Sequence, residues 1–119
     1  WTYENGDPIY SPSACSQLIS HQSGRFFWMG NICNHNPRGN RPRYPIIIGE
    51  VNRDTGCLMH NTITTIDDRQ PDEHEMITLS NFYVRENPNG DLLLHLPRLF
   101  ANDPNDWTSD LMLIRISIL

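Results

Sequence analysis

The feature that most constrains this chain is the rhythm of its connections. Short turns at 20–24, 52–56 and 87–90 alternate with long polar loops at 31–43, 67–75 and 100–109. Between them lie seven short apolar runs, and none carries a 3.6-residue periodicity long enough for a helix. Seven strands are expected: Ser13–Ile19, Arg25–Gly30, Tyr44–Val51, Cys57–Ile66, Ile77–Val84, Asp91–Leu96 and Leu111–Ile118. Nine prolines and several Asn/Gly turns favour the same all-β reading. In an antiparallel meander successive connections fall on opposite ends of the sheet. The three tight turns therefore belong to one end and the three long loops to the other, where function usually rides.

Composition narrows the chemistry. A net charge of −5 argues against nucleic-acid binding, and no apolar run reaches membrane length. All nine basic residues are arginines, which removes Schiff-base chemistry and a phosphate-loop lysine. The odd count of three cysteines argues against a disulfide framework, and Cys15 and Cys57, set in apolar runs, are expected in the core. Cys33 and His35 have the spacing of a metal pair but lack a second ligand cluster, so no metal or cofactor is expected. The chain starts at Trp1 in what already reads as a connecting segment, 1–12. A piece of a larger protein is expected.

The strongest candidate for ligand contact is Asn31–Gly56. Its first half holds Arg38, Arg41 and Arg43 in a loop stiffened by Pro37, Pro42 and Pro45. Its second half is the most apolar run in the chain, Ile46–Ile48. A planar guanidinium pairs bidentately with a carboxylate, so a rigid arginine loop is suited to an anionic ligand. Arg41 and Arg43 are the first candidates. Asp68 and Arg69 follow on the next long loop. Asn81, placed among apolar residues of the run TLSNFYV, is expected on an inner strand, facing a channel or a neighbouring sheet. Asp54 is expected to cap its own turn. Phe27 and Trp28 are expected between sheets, and Trp107 either stacks on a ligand or closes the last sheet.

Four stretches, RFFWMGN, RPRYPIIIGEV, TLSNFYV and SDLMLIRISIL, together resemble the C-terminal end of sialidase-like (BNR-repeat) six-bladed β-propellers. That family marks turns between outer strands with an Asp box, Ser-x-Asp-x-Gly-x-Thr-Trp. Asn52–Gly56 keeps the Asp-x-Gly core, with Asn for Ser and with Leu58 and Met59 where Thr and Trp would stand. The resemblance implies two final blades, one of four strands over 13–66 and one of three over 67–119, whose closing strand comes from elsewhere. It also implies a glycosidase-like pocket at the centre of the loop end, with arginines clamping an acidic sugar. Such enzymes use a tyrosine–glutamate nucleophile pair, an exception to the usual two carboxylates. Tyr44 and Tyr83 lie in suitable regions, but no motif surrounds either. The substrate-binding set the resemblance implies is Arg41, Arg43, Arg69, Asp68 and Asn81, with the rest of a propeller as structural partner. The alternative is a non-catalytic propeller or β-sandwich module that binds a partner through the same loops.

Overall fold

The computed structural model describes residues 1–119 as two antiparallel sheets without an α-helix. The first sheet has the order β1 (Gln17–Ser20), β2 (Phe26–Asn31), β3 (Ile46–Val51), β4 (Thr64–Asp67). The second has the order β5 (Tyr83–Glu86), β6 (Leu92–Pro97), β7 (Leu111–Ile116). Strand order follows chain order in both, as a meander requires. Neither sheet closes into a barrel.

Side-chain alternation decides how the sheets meet. Phe27 and Met29 of β2, with Ile46 and Ile48 of β3, face Val84 of β5 and Leu92, Leu94 and Leu96 of β6. Ile19 of β1, with Ile77, Leu79 and Phe82 from the connection between the sheets, completes this core. The intervening residues Trp28, Ile47 and Val51 form a smaller cluster with Leu58 on the opposite face of the first sheet. β3 is thus buried on both faces, which explains its unbroken apolar run. Phe27 and Trp28 are both buried, but only Phe27 lies between the sheets. The segment 1–12 is more than a connection: Tyr3 and Ile9 pack over the Trp28 cluster, and the Trp1 ring meets Trp28 edge-on at 5.4 Å.

Two expected strands are shorter than their apolar runs. Cys57–Ile66 divides into one bridging residue, Leu58, which pairs with Tyr3 and Val51, then a 3-10 turn over His60–Thr62, and β4. The Thr62 hydroxyl donates to the Met59 carbonyl and accepts from the Glu50 amide, replacing ladder bonds at that point. The interruption lets Leu58 and Ile63 close over Gly49, where a Cβ would lie 2.7 Å from Ile63 Cδ1 and 2.9 Å from Leu58 Cδ1. Ile77–Val84 is likewise reduced to a bridge at Thr78 before β5 starts at Tyr83. Asn81 breaks it: its φ of 57° is left-handed and its side chain is exposed, so it is not the inner-strand residue expected. Cys15 is exposed and Cys57 half-buried, contrary to the core positions expected of them. In the turn after β3 it is Asn52, not Asp54, that caps, its side-chain oxygen accepting the amides of Asp54 and Thr55.

Three side chains stitch the sheets together. The Gln17 amide behaves as one residue of a strand, accepting from the Val84 amide at 3.2 Å and donating to its carbonyl at 2.9 Å. Asn31, fully buried at the end of β2, donates to the carbonyls of Pro45 and Leu79, both at 3.0 Å. At the tight-turn end His21 Nδ1 accepts the Ser23 amide, so the ring donates through Nε2 to the Gly90 carbonyl at 2.7 Å. His21→Leu would orphan the Gly90 carbonyl in a buried position. The expected loss is about 1–3 kcal/mol, read as a lower urea midpoint at unchanged slope. An unchanged midpoint would mean that the His21 bond does not hold the turns together.

Candidate functional site

The long loops gather at one end, as the alternation of connections requires. Loop 32–45 meets loop 68–82 through the Leu79 amide, which donates to the Arg43 carbonyl at 2.9 Å. Loop 68–82 meets loop 98–110 through the His74 amide and the Ala101 carbonyl at 2.7 Å. At the opposite end the β1–β2 and β5–β6 turns meet, the Gln22 amide donating to the Glu86 carboxylate at 3.1 Å. Two clefts open at the loop end.

The first has a volume of about 440 Å³ and is lined by Cys33, His35, Arg38, Arg41, Tyr44 and Asp68 among others. Its wall is anchored from behind: the Cys33 amide donates to the Tyr10 carbonyl at 2.7 Å, and the Ser13 amide to the Gly39 carbonyl at 2.9 Å. Gly39 stands at φ 71°, a conformation that suits glycine. One terminal nitrogen of Arg41 donates to the Met76 carbonyl at 2.7 Å and to the Thr78 hydroxyl at 3.1 Å, fixing the side chain across the loops. No carboxylate lies within salt-bridge distance of this guanidinium, unlike those of Arg25, Arg98 and Arg115. Burial, and then the neighbouring charge of Arg43, push its pKa down from the ordinary value. It remains a cation, with Asp68 on the same cleft but no direct ion pair.

The second cleft, of about 460 Å³, is lined by Glu73, Arg98, Asn102, Asp106, Thr108 and Asp110 among others. Its arginine is already satisfied. One terminal nitrogen of Arg98 binds Asp67, and the other binds both oxygens of Glu73 at 2.6 and 2.7 Å. Hydrogen bonds from Thr108 hold the Asp106 carboxyl below its usual range, so this cleft presents mainly negative charge. Trp107 is 77% exposed with its ring meeting Phe100 edge-on at 4.9 Å; it does not close the sheet. Of the two clefts, only the first offers an unpaired cation.

The five candidates separate accordingly. Arg41 and Asp68 share the first cleft. Arg43 turns back on its own loop, its Nε donating to the Asn40 carbonyl at 2.9 Å. Arg69 donates through Nε to the Glu73 carbonyl at 2.9 Å and stiffens the loop between the clefts. Asn81 lines neither.

Compared with protein-family models, curated proteins and solved structures, the chain shows no match to any.

Sequence reasoning missed Arg98 and Asn31. Arg98 follows directly on a strand at the mouth of a long loop, the mirror of Arg43 before β3, and that position was a usable signal. Asn31 ends an apolar strand, where a lone amide is as easily a turn residue; nothing local marks it. Cys33 is no candidate nucleophile, because burial raises its thiol pKa and keeps it protonated at neutral pH.

Proposed function

We propose that this chain is the C-terminal part of a sialidase-like, propeller-type glycoside hydrolase. Its loop end would contribute one wall of a pocket for a carboxylate-bearing sugar. The observation that carries the reading is Arg41: a half-buried guanidinium, held by a carbonyl and a hydroxyl, facing a sugar-sized cleft that it shares with Asp68 without forming an ion pair. A bound carboxylate would supply the missing countercharge in the bidentate geometry that arginine favours. Asp68 and the polar groups of loop 32–45 would meet hydroxyls. The resemblance of the strand sequences to that family and the stacking of a four-stranded meander on a three-stranded one support the same assignment.

A non-catalytic binding module is the second reading. One observation favours it: Tyr44 shares the cleft with Arg41, but no glutamate lines it, so a tyrosine–glutamate nucleophile pair is not assembled there. Both readings expect binding without hydrolysis from these 119 residues.

The test is ligand-detected saturation-transfer NMR with N-acetylneuraminate and, as the neutral control, methyl galactoside. The acidic sugar should bind and the neutral one should not. A charge-assisted hydrogen bond is worth about 1.5–3 kcal/mol, so Arg41→Met should weaken binding roughly 10- to 100-fold. Equal binding of both sugars, or unchanged binding by Arg41→Met, would remove the proposal.

A further inference from the structure

Four strands, β1, β4, β5 and β7, have an edge without a ladder partner. An unpaired edge invites pairing with another chain, and proteins usually guard it. Three of these edges are guarded. β1 and β5 lie side by side, with the Gln17 amide occupying both backbone groups of Val84. β4 has only four residues, carries an irregularity at Ile66 where its pairing with Ile46 and Ile47 shifts register, and ends in Asp67, which is tied to Arg98. β7 has no such device. It runs for six residues without proline or bulge, with Arg115 its one charge. Leu111 and Leu113, on its outward face, are 67% and 63% exposed.

We infer that the free edge of β7 pairs antiparallel with β7 of a second copy of this chain, joining two three-stranded sheets into one of six strands. Side-chain parity limits the register to axes centred on a residue. A two-fold axis perpendicular to the sheet keeps each strand's faces, so directly opposed residues must point to the same side. Centring the axis on Leu113 sets it against Leu113 of the second copy. Leu111 then opposes the aliphatic stem of Arg115, Met112 opposes Ile114, and the two arginines stay apart. Centring it on Ile114 would likewise set Leu113 on the Arg115 stem but leave Leu111 against Ser117, and centring it on Met112 would set Leu111 against Leu113 but keep only residues 111–113 of each strand in the ladder. The register centred on Leu113 keeps residues 111–115 of each strand paired and gives both exposed leucines an apolar contact.

This inference is independent of the sugar reading. In a complete propeller the same edge would take a strand from elsewhere in the protein, and the self-pairing belongs to the 119-residue chain.

Sedimentation velocity over a range of concentrations tests it. The unaltered chain should show a monomer–dimer equilibrium that stops at two. Like charges placed directly opposite each other disfavour a strand pair. Leu113→Lys and Leu113→Glu should therefore each weaken association at least tenfold, with unchanged circular dichroism. An equimolar mixture of those two variants should recover the dimer, because position 113 meets itself. Leu111→Glu, facing Arg115, should associate at least as tightly as the unaltered chain. A monomer at all concentrations, an open-ended series of oligomers, or a Lys/Glu mixture that stays monomeric would each overturn the inference.

Discussion

Replacing Arg98 with methionine is expected to lower the stability of the chain by about 2–3 kcal/mol. It is also expected to change how stability depends on pH. Arg98 is the joint between β4 and two of the long loops, binding Asp67 and Glu73 at once. Its own side chain is 17% exposed and those of its partners 21% and 14%, so the charges are only partly hydrated. Removing one member of a fully buried pair costs roughly 3–5 kcal/mol, mostly by stranding the other charge. Residual water access brings the figure down here.

The pH effect follows from the sign of the Glu73 shift. Burial alone pushes the Glu73 carboxyl up, but hydrogen bonds from Arg98 and the Gln70 amide outweigh it and hold the group below its usual range. A carboxyl depressed in the folded state contributes stability above its unfolded pKa of about 4.3, and that contribution disappears as pH falls through the folded value. In Arg98→Met, Glu73 keeps its burial, the Gln70 amide and the nearby Arg69 charge but loses its strongest partner, so the acid-labile contribution should shrink. The difference in urea midpoint between the two proteins should be widest near neutral pH and narrow below about pH 4. The Arg25–Glu50 pair also depresses a carboxyl, but it is present in both proteins and cancels. A difference independent of pH would show that Arg98 acts through packing alone.

What could be read from the sequence was whatever lies within one strand's length. β2, β3, β6 and β7 announce themselves through apolar content. The burial of β3 on both faces follows from its unbroken Ile46–Ile48 run. The grouping of long loops at one end needed only the counting of connections. Failures begin where a side chain takes over backbone bonding. Thr62 replaces the ladder within the run that should have been the fourth strand, and left-handed Asn81 ends a segment whose apolar residues are buried without being in a strand. The candidate site shows the same division. Loop 32–45 is recognisable as a presenting loop, yet only the carbonyl of Met76 and the hydroxyl of Thr78 decide that Arg41 rather than Arg43 spans the loops. Those partners lie 35 and 37 residues away in sequence, beyond any local pattern.

The pairing of the sheets can itself be tested at two adjacent residues of β6. Leu94 is fully buried, opposite Val84 and Ile114 on its two neighbouring strands, and belongs to the core shared with the first sheet. Leu93 is one step along and points to the outward face, where its neighbours across the ladder are Arg85 and Arg115. Leu94→Ala should cost about 2–5 kcal/mol, the lost transfer of the side chain plus the cavity left behind. Against the roughly 5–15 kcal/mol that holds a domain together, that loss can unfold much of the population at room temperature. Leu93→Ala removes the same atoms from a half-exposed site and should cost less than about 1 kcal/mol, because no closed cavity forms. The two substitutions share chemistry, strand and intrinsic propensity, so their difference isolates which face of the second sheet meets the first. Equal costs, or a larger cost at Leu93, would mean that β6 presents its other face to the core. The register that places Leu111 and Leu113 on the outside would then be wrong as well.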